Sequence, residues 1–329
     1  MASNEATVDT EVPIEERFVS INGRVISTFD AATISIFDTS FHRGDGVFEV
    51  MRIIPTSNGD AKIRCLDQQL GRLQTSADAV GCPLPPKDTL VQWLQDAATA
   101  SGNRPGSLRL IATKGNHAYK VEPSVIISWS PIPPWPDTFT LYPVLAPWHP
   151  AGFPGWETPI KWTSYGPNVV SSNKAKAVGF TDALLLSPHW VERPVPPQTW
   201  NDVDIRKFHI LDGPNFALAF VEEANDDVGG SQPILYLPCN ERLGLLPSIT
   251  QSRLAWVAED TLGMAVKREM YTLGQMLDVA DEVFVMSTTR GVRAVTKIGD
   301  HEIPCKSTSS GKERKSLWVD KFSKLLESE

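Results

Sequence analysis

Residues 160–187 read IKWTSYGPNVVSSNKAKAVGFTDALLLS, and the succession of textures inside them decides the fold. Lys161 stands between an isoleucine and a tryptophan. Residues 168–178 then have the composition of a helix that breaks at Gly179, and DALLLS is an apolar run of strand length. A lysine in apolar surroundings invites a chemical reading. Burial near another positive group disfavours the charged form of an amine, and a neutral amine is what condensation with an aldehyde requires. The competing reading is a snorkelling lysine whose stem packs while its ammonium reaches water. On these residues alone both readings stay open.

Working outward, strands and helices alternate on both sides. Toward the N-terminus, RFVSINGRVI reads as two strands around the turn Asn22-Gly23. In TISIFDTSFHRGDGVFEVMRII, a polar bend from Asp38 to Gly46 separates two apolar, strand-like runs. Residues 66–80 place Leu66, Leu70, Leu73 and Ala77 at helical spacing with Gly81 as a stop, and TLVQWLQDAATAS predicts a second helix. SLRLIAT and SVIISWS follow as strands. The proline-rich SPIPPWP, residues 130–136, is the expected linker, because proline removes backbone donors and favours extended chain. Toward the C-terminus the sequence predicts strands at FTLYPVL, NFALAFV and PILYLP, a helix over SITQSRLAWVAEDTLG, and a helix–strand–strand passage in MLDVADEVFVMSTTRGVRAVTKI. A closing amphipathic helix puts Leu317, Phe322 and Leu325 or Leu326 on one side. The expected organisation is an N-terminal tail (1–16), a smaller α/β domain (17–129), the linker (130–136) and a larger domain (137–329). The fold class is mixed α/β of the α+β kind.

Bulk properties narrow the function. The 329 residues are 41% hydrophobic and 21% charged, the balance of a packed protein long enough for two domains. The net charge of -8, without a basic run, suits no duplex nucleic acid, and no apolar stretch of membrane-spanning length occurs. Cys65, Cys82, Cys239 and Cys305 lie far apart, so neither zinc knuckle nor disulfide framework is expected, and a reducing cytoplasm is the expected compartment. No HExxH, Walker, GxGxxG or GxSxG pattern is present; no metal centre is expected.

Three segments carry phosphate-friendly chemistry. Ser248-Ile249-Thr250 opens a helix whose unsatisfied N–H groups can receive an anion, although an ordinary N-cap explains the same residues. Ser287-Thr288-Thr289, before Arg290-Gly291, forms a polar turn after a strand. Arg72 projects from the first long helix. Candidate carboxylates are Asp38, Asp45, Glu49, Glu192 and Asp212; Asp212 is also explicable as a turn residue, and Asp45 as one that bonds its own backbone.

Taken in order, these segments resemble the class IV aminotransferases, the fold-type IV pyridoxal-phosphate enzymes, from about Ile21 to Gly299. The resemblance implies two domains with the active site between them. It places the lysine that joins pyridoxal 5'-phosphate at Lys161, with Tyr165 nearby, and a phosphate-binding arginine at Arg72; Gln69 stands where the family usually has histidine. ILDGPNFALAF matches the segment whose acid faces the pyridine nitrogen, with Asp212 in place of glutamate and Glu192 as a rival. LGLLPSITQSRL carries phosphate donors onto Ile249 and Thr250, with Gln251 where arginine is usual, and the last loop carries a phosphate hydroxyl onto Thr288.

The implied catalytic pair is Lys161 and Asp212, and the implied substrate pocket involves Arg43, Phe48, Arg109, Lys114 and Thr289, with Phe41 and Trp162 as further aromatic lining. For Arg43, a salt bridge to Asp45 or Glu49 is the alternative. The implied activity is ping-pong transamination from an L-branched-chain or D-amino acid, or an R-amine, to a 2-keto acid, in a homodimer. A lyase of the aminodeoxychorismate type that releases pyruvate, and a non-catalytic cofactor-binding homologue, are the alternatives.

Overall fold

The computed structural model of the chain describes residues 18–26, 31–56, 60–149, 159–187, 204–223, 232–303 and 317–328. The expected tail (1–16) and Glu192 lie outside the described residues. The chain divides into two units. The first comprises residues 1–135 with 160–164, and the second 136–159 with 165–329.

The first unit is built on an antiparallel sheet of six strands in the order β2-β1-β6-β5-β3-β4. These are β1 (Phe18–Ile21), β2 (Arg24–Val25), β3 (Val47–Pro55), β4 (Ala61–Ile63), β5 (Gly106–Ala112) and β6 (Val125–Ser130). The β1–β2 turn uses Asn22 and Gly23, both at positive φ (51° and 76°), as a tight hairpin with right-handed twist demands. A Cβ on Gly23 would lie 2.1 Å from the Trp93 indole nitrogen, so glycine is required twice over. Helices α2 (Leu66–Val80) and α3 (Lys87–Ala100) lay Leu70, Leu73, Ala77, Leu90 and Leu94 over Val47, Met51, Ile53, Leu108 and Leu110.

The bend at 38–46 differs from expectation. The run before it is irregular rather than a strand, and Thr39–Arg43 forms the short helix α1. The Asp38 carboxylate accepts from Ser40 N (2.9 Å), and Gly44 ends the helix in the left-handed region.

The second unit carries a nine-stranded mixed sheet in the order β12-β11-β10-β13-β14-β7-β8-β9, with β15 beside β14. Its strands are β7 (Thr138–Leu145), β8 (Asp182–Ser187), β9 (His209–Ile210), β10 (Ala217–Glu222), β11 (Ile234–Pro238), β12 (Ala265–Glu269), β13 (Glu282–Ser287), β14 (Gly291–Ile298) and β15 (His301–Glu302). Strand β8 is buried along its whole length, as its unbroken apolar run requires, and α4 (Gly166–Ala177) packs on it. The helices α5 (Asn240–Leu243), α6 (Ile249–Trp256), α7 (Leu273–Val279) and α8 (Leu317–Ser328) complete the unit. Helix α6 passes into a π-helical turn at Val257–Thr261, so the single helix read over this stretch changes pitch midway. On α8 the buried stripe is Trp318, Phe322 and Leu326. Leu317 is exposed, because its backbone N–H, with that of Trp318, is turned onto the buried Glu282 carboxylate.

Candidate functional site

The lysine segment is an added edge strand. Strand β4 pairs with β3 only over Ile53–Pro55, which leaves the first half of that edge open. Residues 160–164 take it. Phe48 N donates to Lys161 O (3.0 Å), Thr163 N donates to Gly46 O (2.8 Å), and Trp162 bridges Val47. Lys161 N donates to Ser76 Oγ on α2 (3.1 Å), while Ser164 Oγ donates to Gly44 O (3.0 Å). These bonds account for a departure from the expected domain boundaries, since the lysine belongs with the first unit although the linker precedes it.

The Lys161 ammonium nitrogen lies 4.5 Å from the centroid of the buried Phe48 ring. Arg109 sits over the same ring, its Cζ at 5.2 Å from the centroid. The β3–β5 register explains this. Phe48 pairs with Ile111, so Arg109, two residues along, projects on the same face. Both cations are within cation–π range, and the ring gives the amine a fixed, apolar seat.

The next residue points the other way. Glu49 is fully buried and accepts a two-pronged bond from Arg72, Nε to Oε1 at 2.7 Å and Nη2 to Oε2 at 2.8 Å. The fork geometry of arginine suits a carboxylate. This pair fixes α2 against β3, and α2 in turn presents Ser76 to the lysine strand. Glu49 is therefore not the partner of Arg43. Arg43 is exposed at the end of α1, and among the described residues no carboxylate pairs with it. Lys114 donates to Val80 O at 2.7 Å, supplying positive charge to the C-terminal end of α2.

In the second unit, the Asp212 turn gathers a polar cluster. Its backbone is tied to β8, Leu185 N donating to Asp212 O (3.0 Å). The Tyr165 hydroxyl and Asn168 Nδ2 both donate to Pro214 O, two residues on. Burial foremost, with the nearby Asp212 carboxylate adding to it, pushes the Tyr165 phenol up to about 12, so it remains a donor at neutral pH. His149 Nε2 lies 3.7 Å from Asp212 Oδ1. Behind these, buried Arg290 pairs with buried Asp182 (3.5 Å) and sits over the Phe139 and Phe216 rings, each centroid 5.4 Å away. Burial lowers the Arg290 pKa against the opposing pull of Asp182. A Cβ on Gly213 would lie 2.0 Å from the Phe216 ring, so the glycine after Asp212 lets that ring close over the turn.

Two further features of this unit present donors. Ser248 is the N-cap of α6, its hydroxyl accepting from Gln251 N (3.2 Å). The amides of Ile249 and Thr250 ahead of it have no acceptor among the described residues. Gln251 is turned inward, donating to Leu218 O (3.3 Å). Thr288 and Thr289 are half-buried in the three-residue turn between β13 and β14, closed by the Ser287–Gly291 pair with Gly291 at φ 65°. Helix α6 packs on β10 and β13.

Comparison with known proteins gives this arrangement its context. The family model described as amino-transferase class IV matches residues 46–298. The chain belongs to the class IV aminotransferases. No curated protein matches it. Among solved structures, it is similar to the branched-chain amino acid aminotransferase from Thermobaculum terrenum in its PLP-form (holo-form). That match has TM-score 0.73 and 20% identity, and covers 94% of this chain and 92% of the other. Branched-chain aminotransferases from Escherichia coli (TM-score 0.72, 18% identity, 94% and 93% covered) and Thermoproteus uzoniensis with norvaline (0.73, 18%, 94% and 93%) share the fold equally.

Class IV aminotransferases use pyridoxal phosphate. Each unit of this class IV aminotransferase holds groups whose chemistry fits such a cofactor: in the first an amine on an aromatic seat, and in the second a half-buried carboxylate near a half-buried phenol and helix-start amides open to an anion. Ser76, His149, Asp182 and Arg290 were missed by the sequence reading. An aspartate opening the wholly buried run DALLLS was a usable signal, because a charge there needs a buried partner. His149, alone in a proline-rich stretch, offered none. The Arg72–Glu49 pair makes a direct prediction. Glu49→Gln should cost about 3 kcal/mol of unfolding free energy, since it removes the counter-charge of a guanidinium that is only 12% exposed. Urea denaturation followed by circular dichroism checks this, and a loss below about 1 kcal/mol would show that the pair does not hold α2.

Proposed function

We propose that this class IV aminotransferase transfers the amino group of an amino acid to a 2-keto acid by ping-pong kinetics, with Lys161 as the cofactor-bearing and proton-moving residue. The observation that carries the reading is the Lys161 amine held over the Phe48 ring by a strand pinned at both ends. Pyridoxal phosphate, when bound, supplies an aldehyde for condensation with amines and a ring that accepts electron density from the reacting carbon.

The residues then have separable tasks. Lys161 would supply the amine to which the cofactor's aldehyde attaches, and the same side chain would carry the proton at the donor Cα. Asp212 holds a proton on the pyridine nitrogen through a charge-assisted hydrogen bond. The cluster of Tyr165, His149 and Arg290 around its turn favours Asp212 over Glu192 for this role. The Ile249 and Thr250 amides and the Thr288 hydroxyl are assigned to phosphate, as is Arg72 with its fork oriented by Glu49.

For the donor carboxylate, Arg109 is better supported than Lys114, because it shares the Phe48 ring with Lys161 while Lys114 is turned onto α2. That favours amino acids over simple amines. Incubation with pyridoxal phosphate should give a visible absorption band in the wild type and none in Lys161→Ala. The band should then change with an L- or D-amino acid, with keto acid released before any acceptor is added. An unchanged band across L-amino acids, D-amino acids and R-amines would rule out transamination, and release of pyruvate with return of the original band would indicate a lyase.

A homodimer is part of the same proposal. Ile36, Phe37, Phe41 and Tyr119 form an exposed apolar group on the first unit, Phe41 65% exposed and Phe37 stacked on Tyr119 at 4.8 Å. Sedimentation velocity should give a dimer for the wild type and a monomer for Phe41→Glu; a wild-type monomer would contradict it.

A further inference from the structure

We propose that His149 is the positioning residue of Asp212, holding its carboxylate in the orientation the ring nitrogen needs; this rests on the cofactor role given to Asp212 above. Both residues are anchored to one strand. Ala146 N donates to Leu186 O (2.9 Å), extending β7 along β8, and Ala146–His149 then forms a turn with His149 N donating to Ala146 O (3.0 Å). Pro147 occupies the second position of that turn, where its fixed φ is favourable. On the other side of β8, Leu185 N donates to Asp212 O and Leu211 N to Leu185 O, each within 3.0 Å. The two side chains therefore approach each other from opposite neighbours of β8, each backbone fixed independently of the other.

Their contact, Nε2 to Oδ1 at 3.7 Å, lies within ion-pair range, and the side chains are 12% and 21% exposed. A carboxylate so enclosed is costly without a partner. Arg290 is the guanidinium near this turn, and its charge is already matched by Asp182. The Tyr165 phenol is directed to Pro214 O. The partner of Asp212 among the described ion pairs is thus His149. Aspartate has only two side-chain torsions. With its backbone held by β8, the imidazole 3.7 Å from one carboxylate oxygen restricts the remaining freedom electrostatically and leaves the other oxygen for the ring. The imidazole is the counterpart of the shortened side chain, because an acid one carbon shorter tolerates less error in direction.

The test is a double-mutant cycle of His149→Phe and Asp212→Asn, with His149→Gln as the conservative variant retaining a donor near the Nε2 position. Two readouts are used: thermal unfolding of the cofactor-free chain, and pyridoxal phosphate affinity with kcat and KM for the amino-donor half-reaction. His149→Phe should weaken cofactor binding and lower kcat about tenfold each with KM little changed, as expected for residues coupled through one contact. His149→Gln should recover most of both, and His149→Phe should do nothing further in the Asp212→Asn background. In the cofactor-free chain the two substitutions should be non-additive in unfolding temperature. Equal effects of His149→Phe in both backgrounds, or a His149→Gln variant as impaired as His149→Phe, would overturn the assignment. If the wild type failed to bind pyridoxal phosphate, the functional reading would fall. The cofactor-free cycle would then still decide the contact, with additive unfolding temperatures refuting it.

Discussion

The pairing of residues 160–164 with the open edge of β3 is the constraint on which the site depends. A lysine side chain is a flexible stem that reaches a wide volume when its backbone is loose. Here the backbone is fixed by bonds to Gly46, Phe48 and Ser76, and the amine rests on the Phe48 ring. The position of the amine is then set by strand register and by a packed aromatic rather than by a flexible loop. The Arg72–Glu49 pair stands one step behind, since it fixes the helix that offers Ser76.

Charge is handled differently in the two units. In the first, two cations share one aromatic ring, an arrangement that tempers their repulsion with the ring's negative potential. In the second, buried Asp182 is matched with buried Arg290 and half-buried Asp212 with His149, while a protonated Tyr165 joins the cluster as a donor. Asp212 differs from Asp182 in that its partner is an imidazole rather than a guanidinium.

Much of this was legible in the sequence, for identifiable reasons. Helix α2 was read with the bounds it has, because its apolar spacing is regular and Gly81 supplies a left-handed stop. The strand DALLLS and the Asn22-Gly23 turn were equally plain. The short helix at 39–43 was read as a bend because five residues carry no period, and its start depends on one cap bond from Asp38. Strand β12 (AVKRE) was missed because it is an exposed edge without apolar alternation. On α8, local pattern could not tell Leu317 from Trp318, since Glu282, thirty-five residues earlier, decides which one turns inward. The resemblance names Lys161, Arg72, Asp212, Ile249, Thr250 and Thr288, whereas Ser76, His149 and Arg290 make contacts with tertiary neighbours that spacing does not reveal.

The central claim is that the amine at position 161, and no other, carries the cofactor. Borohydride reduction of the pyridoxal phosphate-loaded protein, followed by peptide mass mapping, measures this directly. One phosphopyridoxyl adduct is expected, on the peptide containing Lys161, with Lys114, Lys174 and Lys176 unmodified. An adduct confined to another lysine, or none under conditions where the cofactor binds, would contradict it.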